Sequence, residues 1–349
     1  LWEEAILPAR FAAYRAAWLD NLALTSGLVW RGCGREKVAL LFPDDAGLFF
    51  PEPDPEVQAR AAALFPAERG RFSLLELAGP GGDSAALADT LWELAWAGVV
   101  GNDSFAALRQ GCRTRFRTSA RNEPRAGSFN RWRGSRPLAG NWHRWPPGPA
   151  EPADPFAAEM LRRERVRQLL ARYGLLSREL LARELPALRW GALFRTLRLM
   201  ELSGELRGGI FFETLSAPQF INHAGWRALR REPDLDACWF VNAADPASCA
   251  GILPGLPVRR PATWLVYEGE RLSAVAEKNG EMLTLTPGAS PGVCRPLFDT
   301  LLARDCRPRR EVRLRSVNGE PVAAPALEAA LRESGFVKRG GVWELRRRY

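Results

Sequence analysis

From Pro155 to Tyr173 apolar positions recur with the helical period, and the run ends at Gly174, a residue suited to helix termination. Ser177 stands where it can N-cap a short second helix, with Leu180 and Leu181 facing inward. Residues 189–202 predict a third helix, with Leu193, Leu197 and Met200 at i, i+4 and i+7 on one face and Ser203-Gly204 closing it. The next stretch, ELRGGIFF, reads as two extended pairs about a Gly-Gly turn, a hairpin signal.

The chain repeats this pattern. Shifted by 106 residues, ALADTLWELAWAGVVGNDSF (86–105) overlays ALFRTLRLMELSGELRGGIF (192–211), and Ala86/Ala192, Leu87/Leu193, Thr90/Thr196, Leu91/Leu197, Gly98/Gly204 and Phe105/Phe211 coincide. Repetition at a fixed offset marks one supersecondary unit used twice. Three helices followed by a hairpin predict a winged helix-turn-helix. In the first copy residues 54–64 are helical, Ser73 caps the second helix, 85–97 form the third and VVGNDSF makes the wing. Leu87, Leu91 and Leu94 read as core, leaving Trp92 and the Asn102-Asp103 turn free for another task. A weaker echo at 21–42 repeats a helix end, Ser26-Gly27 and a hairpin, so the chain reads as an excised fragment.

Near residue 236 the period changes to two. ATWLVYEGERLSAVAEKNGEMLTL reads as three strands joined at Glu268-Gly269 and Asn279-Gly280, followed by alternating short helices and strands to the end. The expected architecture is α+β: tandem winged helices, a β-barrel-like module and a small α/β tail. The divisions fall at 1–50 (a partial winged unit), 51–108, an Arg/Trp-rich linker 109–150, 151–235, 236–290 and 291–349.

Composition narrows the function. The chain has 349 residues and a net charge of +9, and only three of its 49 basic residues are lysines. Such a surplus raises the case for a polyanionic partner. No apolar run reaches the roughly 18–20 residues of a membrane span, and the first residues do not read as a signal peptide. The cysteines at 33, 112, 238, 249, 294 and 306 form no CxxC pair, and His143 and His223 are too few for a zinc site. Scattered cysteines point to the cytoplasm. A GxxxxGK[ST] phosphate loop is absent, so no cofactor is expected in this chain.

The segment 109–145 carries ten arginines against one acid, Glu123, with aromatic residues interleaved and no helical periodicity. One reading is a solvated linker. The other is a nucleic-acid contact through Arg113, Arg115, Arg117, Arg121, Arg131, Trp132, Arg133, Arg136 and Arg144, cations meeting phosphates and rings stacking on bases. In the second winged unit Arg189, Arg195 and Arg198 project away from the leucine face, and Arg207 sits at the wing. That placement suits a recognition helix. The first copy has Asp89 and Trp92 in place of these arginines and is expected to pack against protein.

Five motifs, in order, are specific: LPARFAAYRAAWLD, LWELAWAGVVGNDSFAALR, AADPASCAGILPGLP, ATWLVYEGERLSAVAEKNGEMLTL and NGEPVAAPALEAALRESGF. They resemble the C-terminal region of bacterial large helicase-related (Lhr) proteins, over most of the chain except the basic linker. The resemblance implies a superfamily 2 (DEAD/DEAH-type) DNA-repair helicase, an ATP-dependent 3′-to-5′ translocase. Its motor, with ATP and magnesium, would lie N-terminal to this segment and be its partner in the same polypeptide. It further implies winged helices plus a β-barrel, homo-oligomerisation, and similarity to winged-helix DNA glycosylases with uracil-DNA glycosylase activity; the leading expectation is a module that grips single-stranded or forked DNA. Such chemistry needs an acid to activate water or steady the sugar cation. Candidates in turn-like polar settings are Asp245, with Asn242 near, then Asp103 and Gln219, each of which also reads as an ordinary turn or surface residue. A protein-interaction module is the third reading.

Overall fold

A computed structural model describes residues 1–50, 52–66, 70–116, 139–146 and 152–347. The chain divides into two units, one of residues 19–168 and 181–200, the other of residues 1–18, 169–180 and 201–349. Among the described residues no helix is long and apolar enough to cross a membrane.

In the first unit, strands β1 (Val29–Gly32) and β2 (Val38–Leu41) form an antiparallel hairpin. Gly32 lies against the helix Ser84–Trp96, where any Cβ would overlap the carbonyl of Ala95; only glycine permits that approach. The short helix Leu74–Ala78 starts from a reciprocal box in which Ser73 accepts from the Glu76 N–H and Glu76 accepts from the Ser73 N–H. Those bonds hold the Glu76 carboxyl below its usual range. Asp83 caps Ser84–Trp96 by accepting from the N–H groups of Ala85 and Ala86 at 2.8 and 3.2 Å.

That helix buries Ala85, Ala88, Leu91, Trp92, Leu94 and Ala95, on more than one face, as a core element does. Trp92, expected to be free, is 3% exposed. Around it stand Trp30, Trp96, Phe116 and Trp142, with ring centroids 4.8–6.1 Å away. Phe116 and Trp142 come from the two ends of the basic segment.

The expected wing at VVGNDSF is absent as a local hairpin. Strand β3 (Val100–Asn102) pairs with β4 (Trp142–Arg144), at the far end of the basic segment. The cause is local. Asn102 Oδ1 accepts from the Ser104 N–H, and Ser104 Oγ accepts from the Ala106 N–H, so the chain turns into the helix Phe105–Thr114 instead of doubling back. The basic segment therefore begins as helix, where no periodicity was expected.

In the second unit, β5 (Leu175–Leu176), β6 (Leu206–Gly209) and β7 (Gln219–Asn222) form an antiparallel sheet in the order β5-β7-β6. The strands β8 (Cys238–Asn242), β9 (Trp264–Glu268), β10 (Arg271–Glu277) and β11 (Met282–Leu285) follow. Beyond them come β12 (Glu311–Leu314), β13 (Ser316–Val317), β14 (Glu320–Pro321), β15 (Val337–Arg339) and β16 (Val342–Arg346). A six-stranded sheet runs β14-β13-β11-β10-β9-β8, and a three-stranded one β12-β16-β15. The barrel-like expectation is corrected here: β8 and β14 each pair on one side only, and the sheet stays open. One face packs Trp264, Val266, Ala274 and Leu283 against Leu297, Phe298 and Leu301 of the helix Arg295–Ala303 and against Trp343 and Leu345. Apolar cover on that face removes the drive to close the sheet on itself.

Candidate nucleic-acid interface

The helix Trp190–Leu202 turns one face inward and one outward. Leu193, Leu197 and Met200 are fully buried and Thr196 is 1% exposed, whereas Arg195 and Arg198 are exposed. Rotation is fixed by Thr196, whose hydroxyl donates to Glu159 Oε2 at 3.0 Å, and Glu159 is itself held by Arg162 and Arg163. Phe194 is 38% exposed, with its ring centroid 5.5 Å from that of Trp190. Arg189, just before the helix, is exposed and donates from Nε to the Glu184 carbonyl at 3.1 Å. The outward face thus joins two arginines to aromatic carbon.

The wing is wider than ELRGGIFF implied. Both glycines lie inside β6, and the return strand is β7, after a loop of residues 210–218. A Cβ at Gly208 would meet the Glu201 carboxylate, the end of a flexible side chain that would have to move aside. Gln219, fully buried, organises the loop: its Oε1 accepts from the N–H groups of Phe211 and Phe212, and its Nε2 donates to the carbonyls of Phe212 and Leu215. All four amide positions are used within the loop, so this candidate's polar atoms are engaged in holding the wing. Ser216 N–H donates to Glu179 Oε1 at 3.1 Å. Partial burial raises that carboxyl, and the hydrogen bonds led by Ser216 outweigh it, leaving Glu179 below its usual range. The Arg207 guanidinium lies 5.3 Å over the Trp226 ring, which meets Phe211 edge-on at 5.9 Å.

The two aspartates proposed for catalysis stand differently. Asp245 is 1% exposed and receives Arg10 through Nη2 at 2.6 Å and Nε at 3.3 Å, plus the Ala247 N–H at 2.8 Å. Asn242 is indeed adjacent, and its amide links the Ala244 N–H to the Pro261 carbonyl. This is a buried, ion-paired turn.

Asp103 keeps 20% of its side chain exposed. It accepts from the Asn141 backbone N–H at 2.7 Å and side-chain amide at 3.2 Å, and pairs with Arg71 at 3.4 Å. His143 shares this region: burial first, then the Arg71 charge, drives its imidazole down to about 4, with Asp103 opposing. Its Nδ1 and the Trp145 indole N–H are buried without a protein partner among the described residues. The structure therefore gathers Arg71, Asp103, Asn141 and His143 around β3 and β4, with Asp103 and Asn141 38 positions apart and Arg71 and Asp103 32. Sequence reasoning had Asp103 but not Asn141 or His143; an isolated histidine at the end of a long basic segment carries no local signal.

Of the arginines expected to meet nucleic acid, Arg113 and Arg115 are exposed at the end of the helix Phe105–Thr114, and Arg144 is half-buried in β4. Arg117, Arg121, Arg131, Trp132, Arg133 and Arg136 lie outside the described residues. Among the described residues no group of three His, Cys, Asp or Glu side chains is placed to hold a metal ion.

A helix with a cationic outer face, followed by a two-stranded wing, defines a winged-helix domain. The family model for the winged-helix domain of large helicase-related proteins matches residues 157–237, covering both helix and wing. The chain is 28% identical to the Lhr helicase/uracil glycosylase of Escherichia coli (strain K12), over 96% of this chain and 24% of that protein. It is 26% identical to the Lhr helicase/probable uracil glycosylase of Mycolicibacterium smegmatis (strain ATCC 700084 / mc(2)155), over 73% of this chain and 18% of that protein. The chain is thus related to the large helicase-related proteins, as its motifs indicated, and spans about a quarter or less of the length of these relatives. The Streptomyces sahachiroi DNA glycosylase AlkZ superposes with a TM-score of 0.47 at 14% identity, over 88% of this chain and 86% of that one.

Proposed function

We propose that this chain is a DNA-binding portion of an Lhr-type helicase, acting in the cytoplasm on single-stranded or forked DNA. ATP-dependent 3′-to-5′ movement and a role in repair would belong to the longer protein. The observation that carries this reading is the outward face of Trp190–Leu202, where Arg195 and Arg198 flank Phe194 opposite a fully buried leucine stripe. Guanidinium groups there can neutralise phosphates, and the partly exposed ring can lie against sugar or base. Fluorescence anisotropy with labelled single-stranded and forked DNA tests it. Affinity should fall steeply with salt, and Arg195→Ala with Arg198→Ala should weaken every sequence alike. Binding indifferent to both changes would favour a protein-interaction or oligomerisation module.

A second reading, excision of uracil, is favoured by the Asp103 group. A carboxylate held by three donors, partly open and beside an unprotonated imidazole, suits steadying a sugar cation or orienting water. Incubation with uracil-containing single-stranded DNA should yield abasic sites that Asp103→Asn abolishes without loss of DNA affinity. Product formed equally by that variant would remove Asp103 from the chemistry.

A further inference from the structure

Two large apolar side chains stand out at the wing tip: Ile210 is 67% and Phe212 41% exposed. They sit on backbone that is anything but loose. The buried Gln219 amide binds both N–H groups and one carbonyl of Phe211-Phe212, the Leu215 N–H donates to the Phe212 carbonyl at 3.2 Å, and Ser216 is tied to Glu179. Phe211 is sent inward to Trp226 while its neighbour Phe212 is sent out. A tip held this way cannot fold its apolar groups back onto the core.

Exposed arginines border the tip: Arg207, Arg227, Arg230 and Arg231 fall between residues 206 and 231, with Glu213 inside that stretch, Glu205 and Glu232 at its ends and Glu179 bonded to Ser216. Arg207 rises from β6, and the other three lie on or just after the helix His223–Leu229, which Asn222 at the end of β7 caps. An apolar wedge with exposed arginines beside it matches stacked bases between phosphate strands.

We propose that the wing tip is a wedge, in which Phe212 and Ile210 insert against the terminal base pair where duplex DNA opens into single strands. This rests on the DNA-binding reading above and adds the junction as the structure recognised. The rings and alkyl groups would replace one base-stacking contact, while Arg207 holds a phosphate beside the opening.

The test uses the 349-residue chain and a fork carrying 2-aminopurine at the junction. Binding should raise the 2-aminopurine fluorescence. The double variant Ile210→Ser/Phe212→Ala should lose that rise and bind the fork about tenfold more weakly, with single-strand affinity kept within about twofold. Phe212→Trp should restore both. Both variant positions are exposed, so an unchanged thermal midpoint is expected and checks the fold. Fork binding by the wild-type chain without a fluorescence rise, or a rise that survives the double variant, overturns the wedge alone. No binding to either DNA overturns the wedge together with the reading on which it rests.

Discussion

Trp142 meets Trp92 edge to face, 5.2 Å between ring centroids and 86° between planes, and so ties the far end of the basic segment to the helix Ser84–Trp96. Both indoles are buried, Trp142 fully. Trp142 also exchanges two backbone hydrogen bonds with Phe72, at 2.7 and 2.9 Å. The segment is anchored at both ends, by Phe116 and by Trp142. Trp142→Ala should therefore cost about 3–5 kcal/mol and lower the thermal midpoint by several degrees. A midpoint unchanged by calorimetry would contradict the anchoring role.

The depressed imidazole of His143 makes stability pH-dependent. Its folded value is about 4, and an unfolded histidine titrates near about 6.5. The unfolded state takes up the proton first as pH falls. The contribution is therefore full above about pH 6.5 and is lost as pH drops toward 4. Urea unfolding at pH 7.5 and 4.5 should show a smaller loss in His143→Gln than in the parent; equal losses would contradict it.

Removing the Gln219 amide leaves the N–H groups of Phe211 and Phe212 and the carbonyls of Phe212 and Leu215 short of a partner. Gln219→Leu should cost about 2 kcal/mol or more. Limited proteolysis should then cut within residues 210–218 before the rest of the chain. Uniform cleavage would show that the amide does not organise the wing.

On the Trp190–Leu202 helix, Arg195→Ala and Arg198→Ala should each reduce the slope of log affinity against log salt by about 1. Asp89→Ala, at the equivalent place in the first copy, should leave the slope alone. A parent slope near zero would exclude phosphate contact by this face.

Much of this was legible from pattern alone. The 106-residue offset carries over to the elements themselves, since Ser84–Trp96 and β3 lie in register with Trp190–Leu202 and β6. The caps Ser73 and Ser177 and the terminus Gly174 also stand where short-range chemistry put them. The likeness fails at the paired positions Trp92 and Arg198: one is buried by aromatics brought from elsewhere in the chain, the other is exposed. It fails again after Phe105 and Phe211, where one copy enters a helix and the other a wing.

Periodicity, capping and charge act within a few residues, and they were enough to place the repeated third helices, the caps Ser73 and Ser177 and an outward arginine face. Which strand partners β3, whether the long sheet closes, that Gln219 is a clamp, and that Asp103 lies with Asn141 and His143 were decided by tertiary structure alone. Those outcomes depend on groups far apart in the chain competing for one core, and no local pattern records the result.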